Sequence, residues 1–517
     1  AAFAAPGLPF AVLFVLLALI AAFAILERSG TVYFVGAFLA LGAEAVWSGL
    51  YLDQSRLMPA LLIYGSFGLF YLGVPLLARR LNRALVPEGM PTVMLFLSIG
   101  LLFYLSSGSV APSSLWGLAL LLAILNAAVF AEGSAGRHPL AAAACSVLSW
   151  LVIASWWLSG ALASQAAPAL FIMGGFSLLT LAGHLWLRRG DGSAAGGSTG
   201  AGLALVAPLF LMFVAAQPSL SIPPWPMFGV RAVLDLAIAV AAVHLRRAEL
   251  HVASLVFTQS ILGVWILTAD TAPSPTIGLV AAGVAAALGW VIAVAARRRV
   301  EGEALQFFDP AAAAARRRFE GEALQFFDAA AASALLLGQL LVIIASVTTG
   351  SPSVPGLALF HLVFLVALLA LAAYAERPVL AIAAAIPIWL ATWLWQALHS
   401  GAGFWIRNLV LAGPLYLALL VYPLALGKRV GRTIAPHLAA VLASASFFHV
   451  ARLSLMAGGS GGVIGILPVA QAALLAVLLA GLLRIEPPGS RQLGRLALVA
   501  GAALAFVTVA IPLQLAK

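Results

Sequence analysis

Charge is the scarcest thing in this sequence. Only 9% of its 517 residues are Asp, Glu, Lys or Arg, while 63% are hydrophobic. A typical soluble domain is about 25% charged, and a water-soluble fold of this length has no way to cover itself with so little polar surface. Cysteine is nearly absent. The single Cys145 excludes a disulfide framework and argues against a cysteine metal site. Of 27 basic residues only Lys428 and Lys517 are lysine. Together with the abundance of alanine and leucine, this points to a bacterium with a GC-rich genome. Catalytic signatures are missing too: there is no Walker loop, GxSxG, HExxH or paired-cysteine motif.

What the sequence has is apolar runs of about 20 residues, repeated along almost its whole length. In hydrocarbon every backbone donor and acceptor must be satisfied inside the protein, so such runs must be helices. The expected fold is all-α: a polytopic transmembrane bundle of about 18 helices joined by short loops. The runs place them at 8–26, 31–51, 57–78, 91–106, 113–131, 139–158, 167–187, 202–216, 226–244, 250–269, 276–296, 329–349, 354–375, 378–397, 403–426, 434–456, 462–483 and 492–514. The segments 91–106 and 202–216 are short for a full span. These helices group as a seven-helix section (1–187), a Gly/Ser linker (188–201), a four-helix section (202–296), a repeat-containing loop (297–328) and a seven-helix section (329–517). No cleavable signal peptide is recognisable. The chain begins at Ala1 and stops at Lys517 directly after an apolar segment, which suggests a longer native protein.

The formal net charge of +10 would suggest a nucleic-acid partner in a soluble protein. Here the basic residues alternate with the helices instead. Loops after odd-numbered helices hold 22 of the 27, from Arg28 to Arg495, while loops after even-numbered helices hold Arg56 alone. This follows the positive-inside rule, so the odd loops are expected in the cytoplasm of a bacterial inner membrane, with Ala1 on the outer side. Trp47, Trp116, Trp156, Trp157, Trp225, Trp265, Trp393, Trp395 and Trp405 fall near the predicted outer ends, where an aromatic belt is expected.

The loop at 297–328 contains a tandem repeat. ARRRVEGEALQFFDPAAAA at 296–314 recurs as ARRRFEGEALQFFDAAAAS at 315–333, with 16 of 19 positions matching. It reads either as a pair of cytoplasmic amphipathic helices on anionic lipid or as a local duplication.

Ionisable residues at membrane depth are costly and usually face a bundle interior or a wet cavity. Glu44, Arg231, Asp235, His361, Arg407, His449 and Arg452 map to the outer half, and Asp53, Asp270 and His399 to outer helix ends. Arg231 and Asp235 are four apart and can pair on one helix face; His449 and Arg452 are three apart and share a face. Glu44, Arg231, Asp235, Arg407, His449 and Arg452 are therefore the candidate ligand-binding residues, bordering one outward-facing polar cavity. Arginines there suit phosphate or carboxylate groups. The bland alternative is snorkelling or pairing between helices. His138, His184, His244, His251 and His437 sit beside basic loops and read as interfacial. Internal Pro387, Pro414, Pro468 and Pro512 imply kinks.

Three segments of the last third, GRTIAPHLAAVLASASFFHVAR (431–452), GVIGILPVAQAALLAVLLAGLL (462–483) and LVAGAALAFVTVAIPLQL (498–515), resemble the bacterial membrane-protein family filed as domain of unknown function 2339. SRLMPALLIYGSFGLFYLGVPLLARRL and SVLSWLVIASWWLSG are compatible with it. Members of that family generally continue past the last segment and often carry an N-terminal cytoplasmic region. The family has no established activity, so the resemblance implies no catalytic residues, and the EGEALQFFD repeat has no counterpart in it.

Three functional readings follow. The first is a non-enzymatic scaffold or partner subunit of a cell-envelope membrane assembly. The second is a transporter or flippase for a lipid or glycan, using the outer polar cluster. The third is a membrane glycosyltransferase-like enzyme with Asp53 as candidate carboxylate. The sequence points to no cofactor, no metal and no nucleic acid. The expected partners are membrane lipids and other membrane or periplasmic subunits.

Overall fold

Apolar runs this long can satisfy their backbones only as helices, and the computed structural model contains little else. It describes residues 6–53, 55–87, 89–106, 115–136, 139–159, 165–191, 202–245, 247–269, 275–304, 310–348, 350–425, 433–485 and 492–515. The structure is 89% helical with no named strand among the described residues. Nineteen α-helices are described: α1 (Gly7–Glu27), α2 (Gly30–Tyr51), α3 (Leu57–Arg80), α4 (Met90–Ser106), α5 (Leu115–Gly136), α6 (Pro139–Ser159), α7 (Ala166–Asp191), α8 (Val206–Ala215), α9 (Pro218–Ser221), α10 (Trp225–Leu245), α11 (Ala248–Thr268), α12 (Pro275–Ala304), α13 (Pro310–Ser346), α14 (Val354–Tyr374), α15 (Val379–Leu398), α16 (Trp405–Ala425), α17 (Ala435–Ala457), α18 (Ile466–Ile485) and α19 (Leu493–Leu515).

Among the described residues sixteen helices are long and apolar enough to cross a membrane, so this is a multi-pass membrane protein. The two segments expected to be short are short: the apolar parts are Thr92–Phe103 and Val206–Ala215. Ten residues of helix rise about 15 Å, half of a hydrocarbon core of about 30 Å. The end of α8 is held by a side chain, since the Thr268 hydroxyl donates to the Ala215 carbonyl at 2.7 Å. Pro387, Pro414 and Pro512 lie inside continuing helices, as do Pro75 and Pro423. Pro468 falls in the first turn of α18, where its missing N–H costs nothing.

The chain forms two compact units, Ala1–Val214 with Pro223–Ala241, and Ala215–Ile222 with Ala242–Lys517. In the first, helices pack on their neighbours and on the next but one, as in α2 on α4, α3 on α5, α4 on α6 and α5 on α7. Small residues permit the close approaches: a Cβ on Gly183 of α7 would sit 2.3 Å from the Phe130 ring of α5. The Gly30 amide donates to the Val86 carbonyl at 2.7 Å and the Val86 amide to the Arg28 carbonyl at 3.1 Å, tying the α1–α2 turn to the segment after α3. The second unit repeats the scheme, with α11, α12 and α13 mutually packed, then α14 on α16, α15 on α17, and α18 and α19 on α17.

The arginine-rich helix ends are pinned by ion pairs that join elements distant in sequence. Arg79 at the end of α3 forks onto Glu132 of α5, with Nη1–Oε2 at 3.1 Å and Nη2–Oε1 at 2.5 Å. In the second unit Arg297 of α12 donates to Asp328 of α13 at 2.5 Å. Its guanidinium also lies 5.3 Å over the Tyr374 ring of α14. Arg297 is the second residue of the first repeat copy, and Asp328 ends the EGEALQFFD segment of the second, so the clasp joins the first copy to the second. Side chains of 299–304 and 310–323, and residues 305–309 altogether, lie outside the described part, as does the linker at 192–201.

Not every tryptophan forms a belt. Trp116, Trp225 and Trp393 are exposed, but Trp47, Trp156, Trp157, Trp265 and Trp395 are buried within their units. Their ring area is used for packing between helices, as in the Leu115–Trp156–Ile172 cluster.

Two predictions follow from this architecture. In a Cys145→Ser background, an impermeant thiol reagent applied to spheroplasts labels Ser351→Cys but not Glu376→Cys; the reverse pattern would overturn the outward placement of the arginine-poor ends. A chain lacking residues 298–316, one full repeat period, rejoins Arg297 to the second copy in register. It keeps the Arg297–Asp328 clasp and melts within a few degrees of the parent; a large loss of stability or a changed labelling pattern would show that the duplicated copy carries structure.

Candidate functional site

Glu44 sits on α2, 2% exposed. Its Oε1 accepts from the Tyr71 hydroxyl of α3 at 3.3 Å. Ser48 and Tyr64 reach its backbone carbonyl instead, at 2.6 and 3.5 Å, and Ser48 also bonds Tyr64 at 2.5 Å. Tyr33 in turn donates to the Tyr71 carbonyl at 2.8 Å. These contacts close Glu44 into a tyrosine cluster between α2 and α3, without an ion pair among the described residues.

Arg231 and Asp235 are both buried on α10 and form the i,i+4 ion pair that their spacing implies. Each charge is thus compensated on its own helix. Within the first unit, Glu44 accepts from Tyr71, and the two charges of α10 pair with each other. His361 is buried on α14, 2% exposed.

The remaining three candidates lie in the second unit, at the arginine-poor ends of α15, α16 and α17. Here α15 ends at Leu398, a short 3-10 turn covers Ala402–Phe404, and α16 starts at Trp405. The turn is held by stacked rings: His399 lies 3.9 Å from Trp395 and 5.0 Å from Phe404, centroid to centroid. Beside it a groove of about 330 Å³ opens between α15 and α17, lined by Trp393, Gln396, Ala397, Ser400, His449 and Leu453. The His449 ring lies 5.6 Å from Trp393. Arg452 is one turn beyond His449 on α17 and next to the lining Leu453; it is exposed and has no ion-pair partner among the described residues. Arg407, also exposed and without an acid partner among them, lies 5.3 Å over the Phe404 ring.

Behind the groove is a polar network that charge-based reading misses. Asn408 of α16 donates through Nδ2 to Gln396 Oε1 at 2.7 Å and to the His399 carbonyl at 3.3 Å. Ser454 of α17 also donates to Gln396 Oε1, at 3.0 Å. Gln396, Asn408 and Ser454 are all buried. The available signal was placement: two amides twelve residues apart, on helices that flank one short turn, face each other if that turn is tight.

Other expected roles change. Asp53 is exposed and bound into its own turn, accepting from the Ser55 hydroxyl at 2.5 Å and the Arg56 amide at 3.0 Å. The Ser55 bond first, and Arg56 second, hold its carboxyl below the usual carboxylate range. These contacts are those of a turn residue ahead of α3, which weakens its candidacy as a catalytic group. His184, His251 and His437 are buried among the helices, and His184 packs against Phe130 at 5.1 Å with Ser146 3.4 Å from its Nε2. His244 is exposed as expected. His138 and Asp270 lie outside the described residues. No group of three or more His, Cys, Asp or Glu that could hold a metal is present among those described. Comparison of the chain with protein families, curated proteins and solved structures found no match.

Removing one partner of a buried ion pair leaves a bare charge and costs roughly 3–5 kcal/mol. Asp235→Ala should therefore lower the melting point of the purified protein more than Asp235→Ala combined with Arg231→Ala. Equal melting of the single and double variants would mean that the two side chains are not coupled.

Proposed function

We propose that this membrane protein holds an anionic lipid or lipid-linked glycan by its headgroup, at the outer face of the membrane, in the groove between α15 and α17. One observation carries the proposal. Arg452 is next in sequence to Leu453, which lines a groove together with Gln396, Ser400 and His449; Arg407 lies over Phe404 of the turn that precedes α16; and neither arginine has an acid partner among the described residues. Arg79, Arg231 and Arg297 are each matched to a carboxylate within the fold. Basic residues are scarce on the side read as outer, so two uncommitted arginines there call for a partner, and an anionic headgroup is the partner a lipid surface offers. Transport or flipping of that lipid is the dynamic form of the same reading.

A scaffold or partner-subunit role is the second reading. It is favoured by the internal pairing of Arg79, Arg231 and Arg297 and by the apolar face that α19 leaves uncovered, with Leu493, Leu504 and Ile511 exposed. The resemblance to the domain of unknown function 2339 family brings no activity with it, so neither reading leans on it.

An arginine near an anionic membrane surface contributes about 1 kcal/mol. The Arg407→Ala, Arg452→Ala double variant should therefore retain phosphatidylglycerol about 30-fold less well than the parent in native mass spectrometry, with phosphatidylcholine unchanged. Equal retention of phosphatidylglycerol by both proteins would sink the proposal.

A further inference from the structure

We propose that the group seated in this groove is a phosphoryl oxygen, recognised by the Gln396 side-chain N–H, and that Asn408 is the positioning residue that points this donor outward. The inference rests on the headgroup reading above and adds to it the chemistry of the ligand atom.

The argument starts from a backbone carbonyl, because a carbonyl can only accept. The His399 carbonyl lies 3.3 Å from the Asn408 amide atom assigned as nitrogen. Were the amide turned over, oxygen would face oxygen, so this contact fixes Nδ2 on that side. The same Nδ2 lies 2.7 Å from the Gln396 side chain, so the Gln396 atom facing it must be the acceptor, Oε1. The Ser454 hydroxyl lies 3.0 Å from the same oxygen and shares its one hydrogen between it and the Val450 carbonyl at 2.8 Å. Oε1 is thereby held toward the protein interior.

The geometry of a planar amide then leaves Nε2 on the other side. Gln396 is 6% exposed, it lines the groove, and its Nε2 has no protein partner among the described residues. An N–H left open to the groove can take an oxygen from a ligand, and at this corner of the groove Gln396 offers a hydrogen rather than accepting one. An oxygen that only accepts fits this donor best, and an oxyanion fits it better than a neutral carbonyl because the bond is charge-assisted. With the exposed Arg452 next in sequence to the lining Leu453, the shared chemistry is a phosphate ester. A phospholipid and a phosphate-linked glycolipid both carry it. A sugar hydroxyl, which must also donate, would find no acceptor at Gln396.

The orientation chain can be inverted. Aspartate at 408 cannot donate to Gln396 when ionised, so Asn408→Asp should turn the Gln396 amide, directing Nε2 at residue 408 and Oε1 into the groove. Purified protein would be tested by native mass spectrometry against phosphatidic acid, phosphatidylglycerol and monoglucosyl diacylglycerol, which has a sugar and no phosphate. The parent should retain both phospholipids over the glucolipid. Asn408→Asp should lower phospholipid retention about tenfold and raise glucolipid retention relative to it. Gln396→Met should lower phospholipid retention equally without favouring the glucolipid. Adding Asn408→Asp to Gln396→Met should change little further, which separates a turned amide from plain repulsion by the new carboxylate. Ser454→Ala, the mildest change, should weaken phospholipid retention slightly and serves if Asn408→Asp fails to fold.

The inference is overturned if Gln396→Met leaves phospholipid retention intact, if the Asn408→Asp effect adds in full on Gln396→Met, or if the parent prefers the glucolipid. If those results occur while the arginine double variant still loses phosphatidylglycerol, the groove reading survives without its phosphoryl contact at Gln396. If neither set of variants changes retention, both fall.

Discussion

In hydrocarbon a polar group cannot borrow a partner from solvent, and the arrangement of this protein follows from that one restriction. Backbone groups meet it by forming helices. Hydroxyls meet it locally: Ser146, Ser149, Thr258, Thr392 and Ser444 each donate to the carbonyl four residues earlier, at 2.8–3.0 Å. That bond satisfies the hydroxyl hydrogen of a small polar residue within its own helix. Asn126 has more donors than its own helix can use, and so donates both to the Leu122 carbonyl and to Ser149 of α6, each at 2.8 Å. Charges cannot be met by one carbonyl, and they organise larger pieces. Arg79–Glu132 joins α3 to α5, and Arg297–Asp328 joins α12 to α13.

This division by range explains what could be read from the sequence. The long helices were legible because an apolar run of 20 residues admits one solution, and the two doubtful segments were doubtful for the right reason, their length. Arg231–Asp235 was legible because its partners are four residues apart on one helix. Arg79–Glu132 and Arg297–Asp328 were not, since their partners lie on different helices and only packing brings them together. Glu132 and Asp328 looked like ordinary residues near helix ends. The tryptophans and histidines misled for a related cause. Nearness to a predicted membrane boundary says how deep a residue lies and not which way it faces. Trp265 and His251, both fully buried, have the depth of interfacial residues but point inward.

The candidate residues were chosen by charge, and charge alone mixed two kinds of group. Glu44 and the Arg231–Asp235 pair have partners that explain why they are tolerated. Their presence at membrane depth is a packing matter. Arg407, Arg452 and His449 are exposed, His449 in the lining of a groove, and packing does not explain them. The neutral residues that complete that groove, Gln396 and Asn408, were invisible to a search for ionisable side chains although their hydrogen bonds define its polarity.

A satisfied polar cluster and a binding site can look alike in composition, and the difference lies in which atoms remain unspent. In the Glu44 cluster, the tyrosine hydroxyls of Tyr33, Tyr64 and Tyr71 all donate or bond within the protein. The tyrosine hydroxyls there are spent. In the groove the side-chain oxygen of Gln396 accepts from Asn408 and shares the Ser454 hydrogen with Val450, while its N–H has no partner among the described residues. The commitment itself is what makes the free donor directional, because an amide whose oxygen is pinned cannot rotate to accept. Two exposed arginines on flexible stems can attract an anion but cannot choose among anions, whereas a fixed N–H at short range can tell an acceptor from a donor. Long-range charge and a short-range pinned amide therefore have separable tasks in one groove, attraction and discrimination, and the backbone carbonyl of His399 is where the discrimination begins.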